Sequence, residues 1–427
     1  MSILKAMYSG VSGLNAETGA LGVVGDNVAN TNTIGFKQSR AIFANVLGAA
    51  IGSNEPGSGV NMVRTQQIFA QGGLVNTGQS TDVALSGDGF FVVKGSVDGV
   101  QNSFYTRAGQ FTLRNDGTLI NADGLSVQGY QADLKGQLQT TTGDIKLSTA
   151  PIPPKATSSM KITANLDASA TEPAAAWDPN NPSATSNLAT SLTVYDSVGN
   201  AHVADVYFRK TASGDWDYHV LAKGNELAGG GTGNVEIAGG NFQFTSDGAL
   251  QTITQSTPGN VSFAGATPNQ AIALDFGKSI GAGGTGLEGI TQYASTSSVS
   301  SQKQDGYASG ALSGVKIDSD GTVNGVYTNG QTIAAGKLAV AKFQSNDGLG
   351  RAGHNLWVAT RDSGEAAMGD AGSGGRASLV SGSLEQSNVD VTQQFVELIS
   401  HQRAFQANSK TITTADQMLQ ELMSIKQ

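Results

Sequence analysis

The chain has no cysteine, which removes disulfide frameworks, thiolate metal sites and thiol nucleophiles at once. It is also poor in charge. Asp, Glu, Lys and Arg make up 14% of its 427 residues, against roughly 25% in ordinary soluble domains. What charge there is leans acidic, with 25 basic against 34 acidic side chains and no basic run. Nucleic acid and anionic membrane are therefore poor partners. No apolar run is long enough to span a bilayer, and the first residues, Met1 to Gly10, lack the continuous apolar core of a signal peptide. The expectation is no membrane insertion, and a chain that is cytoplasmic or exported without a cleaved signal. The four histidines, His202, His219, His354 and His401, are far apart in sequence and read as surface or packing residues. Gly, at 57 residues, together with Ser, Thr, Asn and Ala, takes the place of charge. Interfaces of that composition can slide between nearly equivalent hydrogen-bond sets without stranding buried ion pairs.

Against this glycine-rich background, Asp390 to Lys426 contains neither Gly nor Pro. Its apolar residues Val391, Phe395, Leu398, Phe405, Ile412, Leu419 and Leu422 keep the three-and-four spacing of one helical face. Start signals agree: Ser387 and Asp390 fit a capping box, and Asp390 can itself cap, with Gln393 three residues on. Such a helix is about 55 Å long at 1.5 Å per residue and needs an equally long partner. Near the start of the chain, Leu4, Met7, Val11, Leu14 and Leu21, followed by Val28, form a second heptad-like seam. Gly10, Gly13, Gly19, Gly22 and Gly25 interrupt it, each costing about 1 kcal/mol relative to Ala. This helix should be weak alone and depend on packing. The two seams read as each other's partners, and then as partners of copies in other subunits, with Leu4, Met7, Val11 and Leu14 packing on Phe395, Leu398, Phe405, Ile412 and Leu419.

From Leu74 the pattern becomes short strands, such as Phe90 to Lys94 and Leu125 to Tyr130, divided by turns. Eight Asp-Gly pairs, at Asp88, Asp98, Asp116, Asp123, Asp247, Asp305, Asp320 and Asp347, point to type I′ hairpins and an antiparallel architecture. Six of the nine prolines fall between Thr149 and Ser186, and a Gly-rich run spans Gly281 to Gly289; both mark boundaries. A loop rich in Gly, Ser and Pro spans Gly52 to Gly59.

Patterns that suggest chemistry lack their context. Gly284 to Gly289 matches a dinucleotide fingerprint, but Thr-, Gln- and Ser-rich sequence follows where a helix is required. Gly277-Lys278-Ser279-Ile280-Gly281 has no strand-turn-helix setting, and a phosphate loop would need Gly at Ile272. Asp318-Ser319-Asp320-Gly321 begins like a calcium loop but offers Thr322 where a third oxygen ligand belongs. No catalytic, cofactor-binding or metal-ligating set is expected.

Ser9 to Ala16, then Ala29-Asn30-Thr31-Asn32-Thr33-Ile34-Gly35-Phe36-Lys37, closely resemble the N-terminal signature of the flagellar axial family, the rod, hook and hook-associated proteins of bacterial flagella. Ser387 to Val391, Gln402 to Asn408 and Thr414 to Leu419 resemble the matching C-terminal end. The stretches Leu192 to Phe208, Leu287 to Ala294, Gln304 to Gly310 and Gly325 to Gln331 are similar to hook proteins in particular. The resemblance implies a mainly β, α+β chain, its paired coiled-coil-like terminal helices enclosing two nested antiparallel β-domains. On that reading 1–30 and 387–427 form a helical assembly domain and 31–73 and 363–386 a linker region. Residues 74–149 and 287–362 make an inner β-domain into which 150–286 is inserted. The Ala29, Asn30, Thr33, Gly35, Phe36 and Lys37 motif should set how the helices join the β-domains. The function implied is structural rather than enzymatic: self-assembly into a flexible hollow tube, a universal joint between rod and filament. The implied partners are further copies, distal rod, hook cap and hook-filament junction proteins, and the type III export machinery. Two alternatives remain. A distal-rod protein of the same family would lack the insert, and a secreted β-rich enzyme or adhesin would need a binding cleft.

Overall fold

The computed structural model describes residues 3–46, 57–133 and 136–425. It is mainly β, with one long helix near each end of the sequence: α1 (Ile3–Ala29) and α2 (Val391–Ile425). The chain divides into two units. One comprises 1–149, 313–326 and 332–427, the other 150–312 and 327–331.

In the second unit, strands Leu188–Tyr195, Ala201–Ala212, Asp215–Lys223, Asn234–Phe244 and Leu250–Thr257 form an antiparallel five-stranded meander. Strict alternation specifies it: His202, Ala204, Val206, Phe208 and Lys210 face inward while Asp205, Tyr207 and Arg209 lie half-exposed. The tight return between its first two strands is built by Asp196, whose Oδ1 accepts the N–H groups of Val198, Gly199 and Asn200 at 2.9, 2.7 and 2.9 Å. Phe208, Trp216, Tyr218, Phe242 and Phe276 share one core with Met160, Ile162, Ala164 and Leu166 from strand Ser159–Asp167. That strand departs from the antiparallel expectation. It pairs in parallel with Ala273–Asp275 and Thr291–Tyr293 and antiparallel only with Ser298–Gln304. Parallel pairing needs a long connection, which the whole meander supplies, whereas turn signals report only local hairpins.

The first unit holds the largest sheet, in which Phe90–Val97 lies between Val100–Thr106 and Ser126–Ala132. One of its cores is aromatic: Phe90, Tyr105, Phe343 and Trp357, with Phe69 packed against them. The turn expectation needs correction. Of the eight Asp-Gly pairs only Asp98-Gly99 has positive φ at both residues, 49° and 81°. At Asp88, Asp116, Asp123, Asp247 and Asp320 the Gly alone is positive, and at Asp305 and Asp347 neither residue is. Asp mostly works here through its carboxylate, as when Asp116 Oδ1 accepts Thr118 N–H and Asp320 Oδ1 accepts Thr322 N–H.

Within 31–73 lies an antiparallel hairpin, β1 (Ser39–Asn45) and β2 (Val60–Gln67), with a bulge between Ile42 and Phe43. The loop expected at Gly52 to Gly59 lies, through residue 56, outside the described residues. Within 363–386, short strands Ala367–Gly369, Ser378–Ser381 and Ser383–Glu385 pair with 340–342, 83–86 and 74–76. They are too short to show a period in the sequence.

Candidate assembly surface

The helix α2 starts where the sequence says it should. Asp390 Oδ1 accepts the N–H groups of Thr392 and Gln393 at 2.8 and 3.1 Å, satisfying two donors that the first turn would otherwise orphan. With 35 residues it extends about 52 Å. Its contacts with α1 fix an antiparallel pair. Ile412 and Asn408 lie against Gly10, Asn408 against Gly13, His401 Nδ1 sits 2.6 Å from Glu17 Oε2, and Asn27 Nδ2 donates to Gln394 Oε1 at 2.9 Å.

The face of α1 buried within the subunit is not the Leu/Val seam. It is Gly10, Gly13, Ala16, Ala20, Val24 and Asn27. Small residues let the backbones approach closely: a Cβ on Gly13 would lie 2.5 Å from Asn408 Nδ2 and one on Gly10 3.0 Å from Ile412. Of the seam residues, Met7, Leu14, Leu21, Leu398, Ile412 and Leu419 are half-buried. Leu4, Val11, Val391, Phe395 and Phe405 are exposed, Leu4 at 57% and Phe395 at 50%. Tyr8, Val396, Ile399 and Met423 add to that exposed apolar surface. The side chain of Leu422 lies outside the described ones. The hairpin β1–β2 covers part of α1. Ser12 Oγ accepts Val60 N–H at 3.2 Å, Met62 sits over Gly19, and Asn27 exchanges two hydrogen bonds with the backbone of Ser39.

The motif residues turn the chain from α1 into the sheets. Asn30 caps backward, its Nδ2 donating to Asp26 O at 2.9 Å while its Oδ1 accepts Thr33 Oγ1–H at 3.0 Å. Ala29 is exposed and Phe36 buried. Gly35 has φ 68°, and a Cβ there would lie 2.7 Å from Ala108 N, so both conformation and space require Gly. Its N–H donates to Glu385 O at 2.7 Å. Lys37 is fully buried and donates to Glu385 Oε1 at 2.6 Å and Ala70 O at 2.7 Å. Arg107, also buried, reaches Glu385 Oε2 at 3.3 Å and Gly87 O at 2.8 Å, and lies over the Phe90 ring. Burial pulls the Lys37 ammonium and the Arg107 guanidinium below their usual pKa values, and Glu385 opposes the shift in both. Sequence reasoning found Lys37 but neither Arg107 nor Glu385. It also missed the small-residue face of α1, which the spacing of Gly10, Gly13, Ala16 and Ala20 already displays.

Family models for flagellar axial proteins match along the chain. The flagella basal body rod protein model covers residues 7–37, the flagellar hook protein FlgE/F/G D1 domain 84–165, the flagellar basal body protein FlaE D2 domain 165–307, and the flagellar basal body rod FlgEFG protein C-terminal model 380–425. They define an axial structural protein. The chain is 36% identical to the flagellar hook protein FlgE of Treponema pallidum over 469 residues, covering 99% of this chain and 100% of that one. It is 35% identical to FlgE of Salmonella typhimurium, covering 97% and 98%, and 34% identical to FlgE of Escherichia coli K12, covering 99% and 100%. The chain belongs to the flagellar hook protein FlgE family, and is a structural subunit of the bacterial flagellar hook. Among the described residues no helix is long and apolar enough to cross a membrane.

Proposed function

We propose that copies of this chain assemble into the flexible hollow tube that joins rod to filament, with the α1–α2 pairs stacked as a coiled-coil-like inner wall. The β-units, one nested in the sequence of the other, then form the outer layers. The subunit acts as a structural element and not as an enzyme, is exported by the flagellar type III route, and meets distal rod, hook cap and hook-filament junction proteins at the ends of the tube. One observation carries this reading: the helix pair satisfies itself through a small-residue face and leaves Leu4, Tyr8, Val11, Phe395, Val396, Ile399 and Phe405 on the outside. A helix pair with so much uncovered apolar surface is half of an interface.

The test is to place a charge where the subunit does not need an apolar group. Phe395→Asp and Phe405→Asp should fold with unchanged β-sheet melting and fail to polymerise, read by sedimentation and negative-stain microscopy. Tubes of normal yield from both variants would remove the basis for the assignment.

A further inference from the structure

Both connections between the helix pair and the sheets of the first unit run side by side, and one carboxylate holds them together. The outgoing connection passes through Gly35, Lys37 and Gln38, and the returning one through Glu385 and Asn388. Glu385 accepts from Lys37 Nζ at 2.6 Å, from Arg107 Nη1 at 3.3 Å and, by the same Oε1, from Gly72 N–H at 2.9 Å. Its carbonyl takes the Gly35 N–H at 2.7 Å. Three residues on, Asn388 Oδ1 accepts Gln38 N–H at 2.7 Å while its Nδ2 donates to Ile68 O and Ala70 O at 2.8 and 3.1 Å. The Lys37, Arg107 and Glu385 side chains are 0%, 1% and 0% exposed.

We propose that Lys37, Arg107 and Glu385 are positioning residues that lock the direction in which the helix pair leaves the sheet body, so that bending of the assembled tube is taken up between subunits and not at the root of the helices. The physical reason is the penalty for displacement. A neutral hydrogen-bond set can slip to an equivalent neighbour, but a buried ion cluster that slips strands a charge away from water. Apolar substitutes can restore stability at such a site without restoring a single geometry, which is what separates positioning from support. The proposal rests on the hook reading.

The test compares full-length wild type with Lys37→Met/Arg107→Met/Glu385→Met, which removes every charge of the cluster at similar volume. The triple variant should melt near wild type and still form tubes, with a broadened distribution of curvature and lower bending stiffness in electron micrographs. Tubes of wild-type curvature and stiffness would overturn the proposal. Hydrogen exchange in the wild-type subunit keeps it open to refutation should the variant not fold. The amides of Gly35 and Gly72 should be protected like those of the central strands, and loop-like exchange there would also overturn it. Wild-type protein that forms no tubes would defeat the hook reading itself, while the exchange result would still decide whether the joint is rigid.

Discussion

Five glycines lie in α1, and they are not equivalent. Gly10, Gly13 and Gly19 are pressed by Ile412, Asn408 and Met62, whereas a Cβ on Gly22 or Gly25 would meet nothing within 4 Å among the described residues. Neither of these two has positive φ. They therefore weaken the helix with no compensating contact among the described residues. Replacing each by Ala should stabilise α1 by about 1 kcal/mol, so Gly22→Ala/Gly25→Ala should gain about 2 kcal/mol, if the two act independently. That corresponds to a roughly 30-fold rise in amide protection across the middle of α1, at about 1.4 kcal/mol per factor of ten. Hydrogen exchange followed by mass spectrometry reads it directly. Gly13→Ala serves as the control: it has the same intrinsic gain, but its Cβ would crowd the half-buried Asn408 side chain, so protection should stay flat or fall. Faster exchange in the double variant, or equal gains at all three sites, would refute the reasoning, because contacts would then not decide which glycines are needed. If the bare face is covered by a neighbouring helix in the tube, the double variant should also polymerise at a higher critical concentration despite its more stable subunit.

Two further outcomes follow from the second unit. Asp305 lies where burial alone would raise its carboxyl, but hydrogen bonds from Ser158, Lys155 and the Ser158 and Ser159 N–H groups together hold it far below the ordinary carboxylate range. The unfolded chain thus binds the proton more readily, so this stabilisation is complete above the unfolded carboxylate pKa and is lost as pH falls through the depressed native value. Asp305→Asn should be less stable near neutral pH and show a shallower acid-unfolding profile by circular dichroism. Trp216 is fully buried in the core between the meander and strand Ser159–Asp167, and Trp216→Ala should cost about 3–5 kcal/mol in chemical denaturation. Trp216→Phe should cost less, since it also deletes an indole N–H that has no hydrogen-bond partner among the described residues.

How much of this was legible varied with the range of the interaction. The extent of α2 could be read because nothing in Val391–Ile425 breaks a helix and Asp390 caps it. The alternation of Ala201–Ala212 marks one strand of the meander, whereas its later strands carry no comparably strict signal. Periodicity weights large apolar residues, whereas the face of α1 buried within the subunit carries Gly10, Gly13, Ala16 and Ala20, of which Gly10 and Gly13 lie against α2. Arg107 and Glu385 were invisible for a different reason. Each is an ordinary charged residue locally, and only a contact spanning 278 positions gives the pair its meaning. The parallel partners of Ser159–Asp167 are equally non-local. Turn geometry at the Asp-Gly pairs depended on context that a dipeptide does not carry.

The Asn27–Gln394 hydrogen bond joins residues 367 positions apart, and it imposes an order in time. Whichever way the chain is delivered, α1 is made long before α2 exists, so the earliest segment waits for the latest one. The β-units, whose pairings lie between, are free to fold first. A helix so rich in Gly is suited to waiting, because it forms poorly until a partner packs against it. Completion of the α1–α2 pair therefore requires that both ends of the chain have arrived.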